Sequence, residues 1–319
     1  MAPHSGQCIA DHPNSSFNYA TPIFLTGASG YIGGSIATAL VANEHTVLGL
    51  CRSVEKAELL RQRGIEPIVG NLSDERTLFQ AAQSADAVIN AADADDPFAA
   101  ESLLQALEGS GKKLIHTSGS SIVGDRANGE HSNCILHEDI PRPVRFEKVG
   151  RVTIDTHVVE GAFREIHSVV ICPCLIYGNG TGLRSESIQV PQMIAVARKY
   201  QQARYIGKGE NIWSTVLIDD LVSAYLLALE KGPAGSFFFI GNDEISFKEI
   251  ADTIHRELDL DGTAQSWTID EAIQEWGQEG AHFAFGSNSR IRSDKARNLL
   301  GWVPKQLSLM DWLKQALTP

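Results

Sequence analysis

The sequence predicts an α/β fold: a doubly wound parallel sheet, with a smaller C-terminal α/β region over its carboxyl edge. Two observations predict it. Apolar runs of strand length alternate with helical segments from residue 23 to residue 172. The first strand-to-helix junction is glycine-rich, with glycines at 27, 30 and 33 between Ile23-Phe24-Leu25 and a stripe of Ile32, Ile36, Leu40 and Val41.

Each element follows in order. The first strand ends at Thr26, and the helix it feeds starts near Tyr31. Strands are expected at 46–50, 65–69, 86–90, 113–117 and 168–172. Helices are expected at 54–63, 74–83 with Ser73 as N-cap, 97–108 with Pro97 in the first turn, and a long one at 144–164. Residues 1–20 read as a mobile lead-in and 21–178 as a dinucleotide-binding Rossmann domain. Residues 179–319 read as a substrate-binding region, within which 219–240 return to the main sheet. Residues 119–143 form a polar insertion.

The strand–glycine–helix junction suits a pyrophosphate. Gly27 permits the turn, Gly30 lets a phosphate approach the backbone, and Gly33 lets the helix pack close to the strand. Composition excludes other partners. Formal net charge is −12 and no basic run is present, which argues against nucleic acid and against an anionic membrane surface. No apolar stretch approaches the ~20 residues of a membrane span, and residues 1–20 lack the apolar core of a signal peptide. The five cysteines (8, 51, 134, 172, 174) contain no Cys-x-x-Cys pair and no accompanying His cluster. They read as reduced thiols of a cytoplasmic protein with no metal site.

The motifs resemble those of an extended or atypical short-chain dehydrogenase/reductase of the nucleoside-sugar epimerase and dehydratase type, from residue 21 to 316. Thr26-Gly27-Ala28-Ser29-Gly30-Tyr31-Ile32-Gly33 matches that family's T-G-x-x-G-x-x-G. Gly70-Asn71-Leu72-Ser73-Asp74 is similar to its G-D-L-x-D, Cys172-Pro173-Cys174-Leu175-Ile176-Tyr177-Gly178 to its R-P-x-x-x-Y-G, and Val216-Leu217-Ile218-Asp219-Asp220-Leu221 to its V-x-V-x-D-L. The resemblance implies a nicotinamide cofactor held by Gly27, Ser29, Gly30, Tyr31, Ile32 and Gly33. It also implies contacts from Asn71 and Leu72 at the adenine, from Ala91 and Ala92 beside the phosphates and ribose, and from Thr117 and Pro173 at the ends of later strands. It further implies pairing of two copies through the helices after strands four and five.

Cofactor choice is read at the end of the second strand. An NAD site usually carries an acid there for the ribose 2′-hydroxyl. This chain has Arg52 and Ser53, with Lys56 one turn on, a set suited to a 2′-phosphate. NADP is therefore expected over NAD.

The family's Tyr and Lys, four residues apart on the long helix, are missing: none of the tyrosines at 19, 31, 177, 200, 205 and 225 has Lys at i+4. Counting back from Cys172-Pro173 puts Glu147 and Arg151 at those places. Two readings stand side by side. Arg151 holds the nicotinamide ribose while Glu147 or a substrate group handles the proton, or the two form an ordinary i,i+4 ion pair. Ser118, then Ser120, are the candidates for a substrate-binding hydroxyl after the fifth strand. His116 reads as a packed core histidine. Asp93, Asp95 and Asp96 read mainly as caps before Pro97, and Trp213 as a buried Trp. The expectation is an NADP(H)-dependent oxidoreductase for a small carbonyl or hydroxyl compound. The alternative is a sensor or assembly factor that binds the cofactor without turning it over.

Overall fold

The computed structural model describes residues 22–138, 144–305 and 307–318. The expected lead-in, together with Cys8, Tyr19 and Pro141, lies outside them. The main sheet takes β1 (Ile23–Thr26), β2 (Val47–Cys51), β3 (Glu66–Val69), β4 (Ala87–Asn90), β5 (Lys113–Thr117), β6 (His167–Pro173) and, after the C-terminal region has begun, β10 (Ser236–Ile240). Its order is β3-β2-β1-β4-β5-β6-β10, and every pairing is parallel. The order reverses between β1 and β4, and ligands of such sheets lie outside the carboxyl ends at that reversal.

Alternation along the strands builds two cores. Ile23 and Leu25 point into one cluster, with α1 (Tyr31–Ala42), α2 (Val54–Arg61) and α7 (Ile218–Lys231) above them. Phe24 points to the opposite face, among α3 (Glu75–Ser84), α4 (Pro97–Leu107) and α5 (Val149–Glu160). The helix starts follow local chemistry. Ser53 caps α2 and Asp96 caps α4 ahead of Pro97. At α3 the cap is Asp74 rather than the expected Ser73, because the Asp74 carboxylate accepts from both Thr77 N and Thr77 Oγ1.

The expected long helix at 144–164 is broken at both ends. Residues 146–148 and 161–164 are 3₁₀ turns flanking α5. Lys148 leaves helical geometry because its ammonium is buried and pairs with Glu279 of the C-terminal region, 2.7 Å away.

The C-terminal region has its own core of Trp213, Phe247, Trp267 and Phe285. Around it lie β7 (Leu175–Tyr177), α6 (Gln189–Tyr200), β8 (Arg204–Ile206), β9 (Ile212–Leu217), β11 (Asp243–Ser246), α8 (Phe247–Glu257), β12 (Gln265–Trp267), α9 (Ile269–Glu279) and α10 (Leu309–Leu317). The segment 287–292 ties it to the polar insertion, through bridges from Ser289 to Trp213 and from Ile291 to Leu136. Among the described residues no helix is long and apolar enough to cross a membrane.

Candidate functional site: a glycine cradle and a polar sheet edge

The glycine turn closes against the end of β4. Gly27 has φ +74°, and a side chain there would stand 2.5 Å from Ala91 O; at Gly33 it would meet Gly27 O at 2.3 Å. Ala91 and Ala92 therefore lie beside the turn. Gly30 is the N-cap of α1, with no side-chain cap and no acid in the first turn. The helix presents bare N–H groups to the cradle, a fit for a pyrophosphate. Ser29 and Ile32 are partly exposed at this turn. Tyr31 is buried, and its hydroxyl donates to Gly178 O at 2.9 Å.

At the end of β2, Arg52 is exposed and no acidic side chain stands at Cys51, Arg52 or Ser53. The Ser53 hydroxyl accepts from Lys56 N at 3.2 Å, so the start of α2 opens beside Arg52. Asn71 is exposed and turns its carbonyl oxygen onto Ser73 N, which leaves its amide NH₂ outward. Leu72 packs against the core beneath.

A buried polar chain runs across the carboxyl ends of the strands. Thr26 donates to Asn90 Oδ1 at 2.6 Å and accepts from Ala91 N. Asn90 Nδ2 meets His116 Nδ1 at 3.1 Å. His116 is 1% exposed, and burial, with the Arg151 charge adding to it, pulls its pKa down to about 4. It is neutral at pH 7, accepts at Nδ1, and turns its Nε2–H toward Asp155 Oδ1, 3.8 Å away. Asp155 accepts from Ser118 Oγ at 2.6 Å. Thr117 shares a 2.7 Å bond with Tyr225, and Pro173 ends β6 opposite Ile240, buried.

The Arg151 guanidinium closes this edge. It donates to Asp95 Oδ1 from Nε at 2.8 Å, pairs with Asp95 Oδ2 as well, and donates to Ser121 Oγ at 3.1 Å. Its hydrogen bonds with Arg151 hold the Asp95 carboxyl below its ordinary range. Asp95 is thus an ion-pair partner, while Asp96 is the cap. A side chain at Gly119 would stand 3.2 Å from Arg151 Nη1, so that glycine leaves room for the guanidinium.

Two expectations are corrected here. Glu147 and Arg151 form no i,i+4 pair: Glu147 sits in the 3₁₀ turn and binds Arg126. Ser120 is 1% exposed, with its hydroxyl and carbonyl both bonded to Ser289 Oγ, whereas Ser118, 5% exposed, is bonded to Asp155 and Ser121 to Arg151. Sequence reasoning missed Asp155 and Tyr225. The only local hint of Asp155 was an acid at i+4 from Arg151 beside the apolar Ile154.

On the opposite wall, Trp213 is buried, with Nε1 donating to Ser287 O at 2.9 Å. Arg290 and Arg292 share the Glu244 carboxylate. No cluster of three or more metal-binding side chains exists among the described residues.

The comparisons agree with this architecture. The model of the NAD dependent epimerase/dehydratase family matches residues 23–241. A protein of Schizosaccharomyces pombe, without an assigned function, is 31% identical over 300 residues, 90% of this chain and 96% of that one. A ketoreductase of Stigmatella aurantiaca, named for 4-hydroxy-2-methyl-3-oxo-4-farnesyl-3,4-dihydroquinoline-1-oxide, is 26% identical over 68% of this chain and 67% of its own length. The structure of dTDP-glucose 4,6-dehydratase from Bacillus anthracis, in complex with NAD, superposes with a TM-score of 0.73 at 16% identity, over 93% of this chain and 96% of that one. With the family model covering the glycine cradle and the whole main sheet, the chain belongs to the NAD dependent epimerase/dehydratase family of nicotinamide-dependent oxidoreductases.

Proposed function

We propose that the protein is an NADP(H)-dependent oxidoreductase acting on a small carbonyl or hydroxyl compound, seated between the sheet edge and the C-terminal region. The observation that carries this reading is the preorganised Arg151, fixed by Asp95 and Ser121 where the missing Tyr/Lys pair would work. A bound nicotinamide supplies or accepts the hydride. Arg151 donates to the ribose hydroxyls and faces the oxygen on which negative charge develops, a role for fixed cationic donors in a site partly shielded from water. Glu147 is held ionised, by its own backbone and by Arg126, and so has no proton to give. The proton for the nascent alkoxide then comes from a substrate group or solvent. Arg52 and the start of α2 favour the 2′-phosphate of NADP. The ketoreductase relative supports a carbonyl substrate.

One observation favours a second reading, a cofactor-binding sensor or assembly factor. Tyr31, Tyr177, Tyr200 and Tyr225 are each engaged by hydrogen bonds elsewhere in the fold. Pairing of two copies through α4 and α5 is supported by Phe98 and Val149, both exposed on those helices.

Fluorescence titration with NADPH and NADH, followed by cofactor consumption over a panel of small carbonyl compounds, separates the readings. The expected result is preferential NADPH binding with turnover on part of the panel. Tight binding with no turnover on any compound selects the sensor.

A further inference from the structure

Two residues before Glu147, Arg145 carries a guanidinium whose Nε, Nη1 and Nη2 are all buried and have no hydrogen-bond partner among the described residues. It lies over the Phe283 ring, 4.3 Å from the centroid. Arg126 and Lys148 approach the same ring, at 5.4 and 5.6 Å, but Glu147 and Glu279 neutralise them. Asp125 lines the same cavity and attracts Arg145, as Glu147 does, but its carboxylate accepts from Asn288 N and Nδ2 at 2.7 and 2.9 Å and takes no hydrogen bond from Arg145. Arg145 therefore keeps three buried donors without an acceptor among the described residues, in a chain whose formal net charge is −12.

That charge borders a cavity of about 210 Å³ with an apolar wall of Ile122, Val123 and Leu136, and with Arg290 on its rim. Arg290 and Arg292 share one carboxylate, so the far side also carries excess positive charge. Ile122 and Val123 belong to the 3₁₀ turn whose Ser121 accepts from Arg151, so the cavity opens one turn from the proposed reacting centre.

A buried, unpaired guanidinium is unfavourable unless an anion meets it, and its planar fork matches a carboxylate. We propose that this cavity is the subsite for a carboxylate of the substrate. The compound that enters is a small oxo or hydroxy acid, with its apolar body against Ile122, Val123 and Leu136 and its acid group on Arg145. The assignment of substrate class rests on the oxidoreductase reading above; the anion subsite itself does not.

Calorimetric titration tests it, with hexanoate, hexanamide and hexyl phosphate as probes, in the presence and in the absence of NADPH. Hexanoate is expected to bind at least about tenfold more tightly than hexanamide to the wild type. The Arg145→Met variant should lose that preference to within about twofold, and Arg145→Lys should keep part of it, because it retains charge without the fork. Equal affinity for acid and amide in the wild type, full preference in Arg145→Met, or hexyl phosphate bound about tenfold better than hexanoate would each overturn the carboxylate subsite. Because the titrations are also run without NADPH, failure of cofactor binding refutes the oxidoreductase reading alone.

Discussion

Arg151 on α5 and Asp95 in the loop after β4 form the ion pair that spans the carboxyl edge of the sheet, with Nε 2.8 Å from Oδ1. The pair is unequal. The Arg151 side chain is 16% exposed and that of Asp95 is 55% exposed. Asp95 can thus be exchanged for solvent or ligand while Arg151 stays buried, which makes Asp95 a positioning residue for the cation rather than a structural brace.

Asp95→Asn should therefore leave the fold intact and disturb the site. It keeps one hydrogen bond to Arg151 but loses the charge. Turnover is expected to fall about tenfold, the rate equivalent of about 1.4 kcal/mol, with a thermal midpoint close to that of the wild type. A large drop in the midpoint would show that the pair holds α4 and α5 together instead.

The proposed preference for NADP rests on Arg52. Replacing it with Asp puts an acid where a ribose 2′-hydroxyl would accept it and a 2′-phosphate would be repelled. NADPH affinity should fall by about tenfold or more, while NADH affinity holds or improves. Fluorescence titration of both cofactors reads this directly, and an unchanged ratio would remove Arg52 from the site.

His116 makes stability depend on pH. Its folded pKa, about 4, lies below the value of 6.5 expected when the chain is unfolded. Between those limits the unfolded state takes up a proton that the folded state refuses, so stability is lost as pH falls from about 6.5 toward 4. His116→Asn should flatten that part of the profile by up to about 3 kcal/mol in urea unfolding, since each pKa unit is worth ~1.4 kcal/mol. Equal slopes for the two proteins would mean that the imidazole is charged within the fold.

The parts of this fold that depend on neighbours in sequence were legible from it. The period-two runs became strands with Phe24 on one face and Ile23 and Leu25 on the other, and the glycine turn lies where the spacing puts it. What local pattern could not reveal depends on distant partners. Ser120 is withdrawn from the edge by Ser289, Glu147 is drawn to Arg126, and Lys148 leaves the helix for Glu279. Asp95 read as a cap because its context resembles one, yet Asp96 does the capping and Asp95 is left for Arg151. Arg145 gave no signal at all, since a buried guanidinium without hydrogen-bond partners looks in sequence like any solvated arginine.

The central claim is that Arg151 works on a reacting cofactor. It is tested most directly by NADPH oxidation over small carbonyl compounds, oxo acids included, for the wild type and Arg151→Ala side by side, with NADPH affinity measured in both. Turnover by the wild type is predicted, with NADPH binding weakened about tenfold or more and turnover abolished in a folded Arg151→Ala protein. Unchanged NADPH affinity in that variant, or tight NADPH binding by the wild type with no oxidation on any compound, would contradict the account.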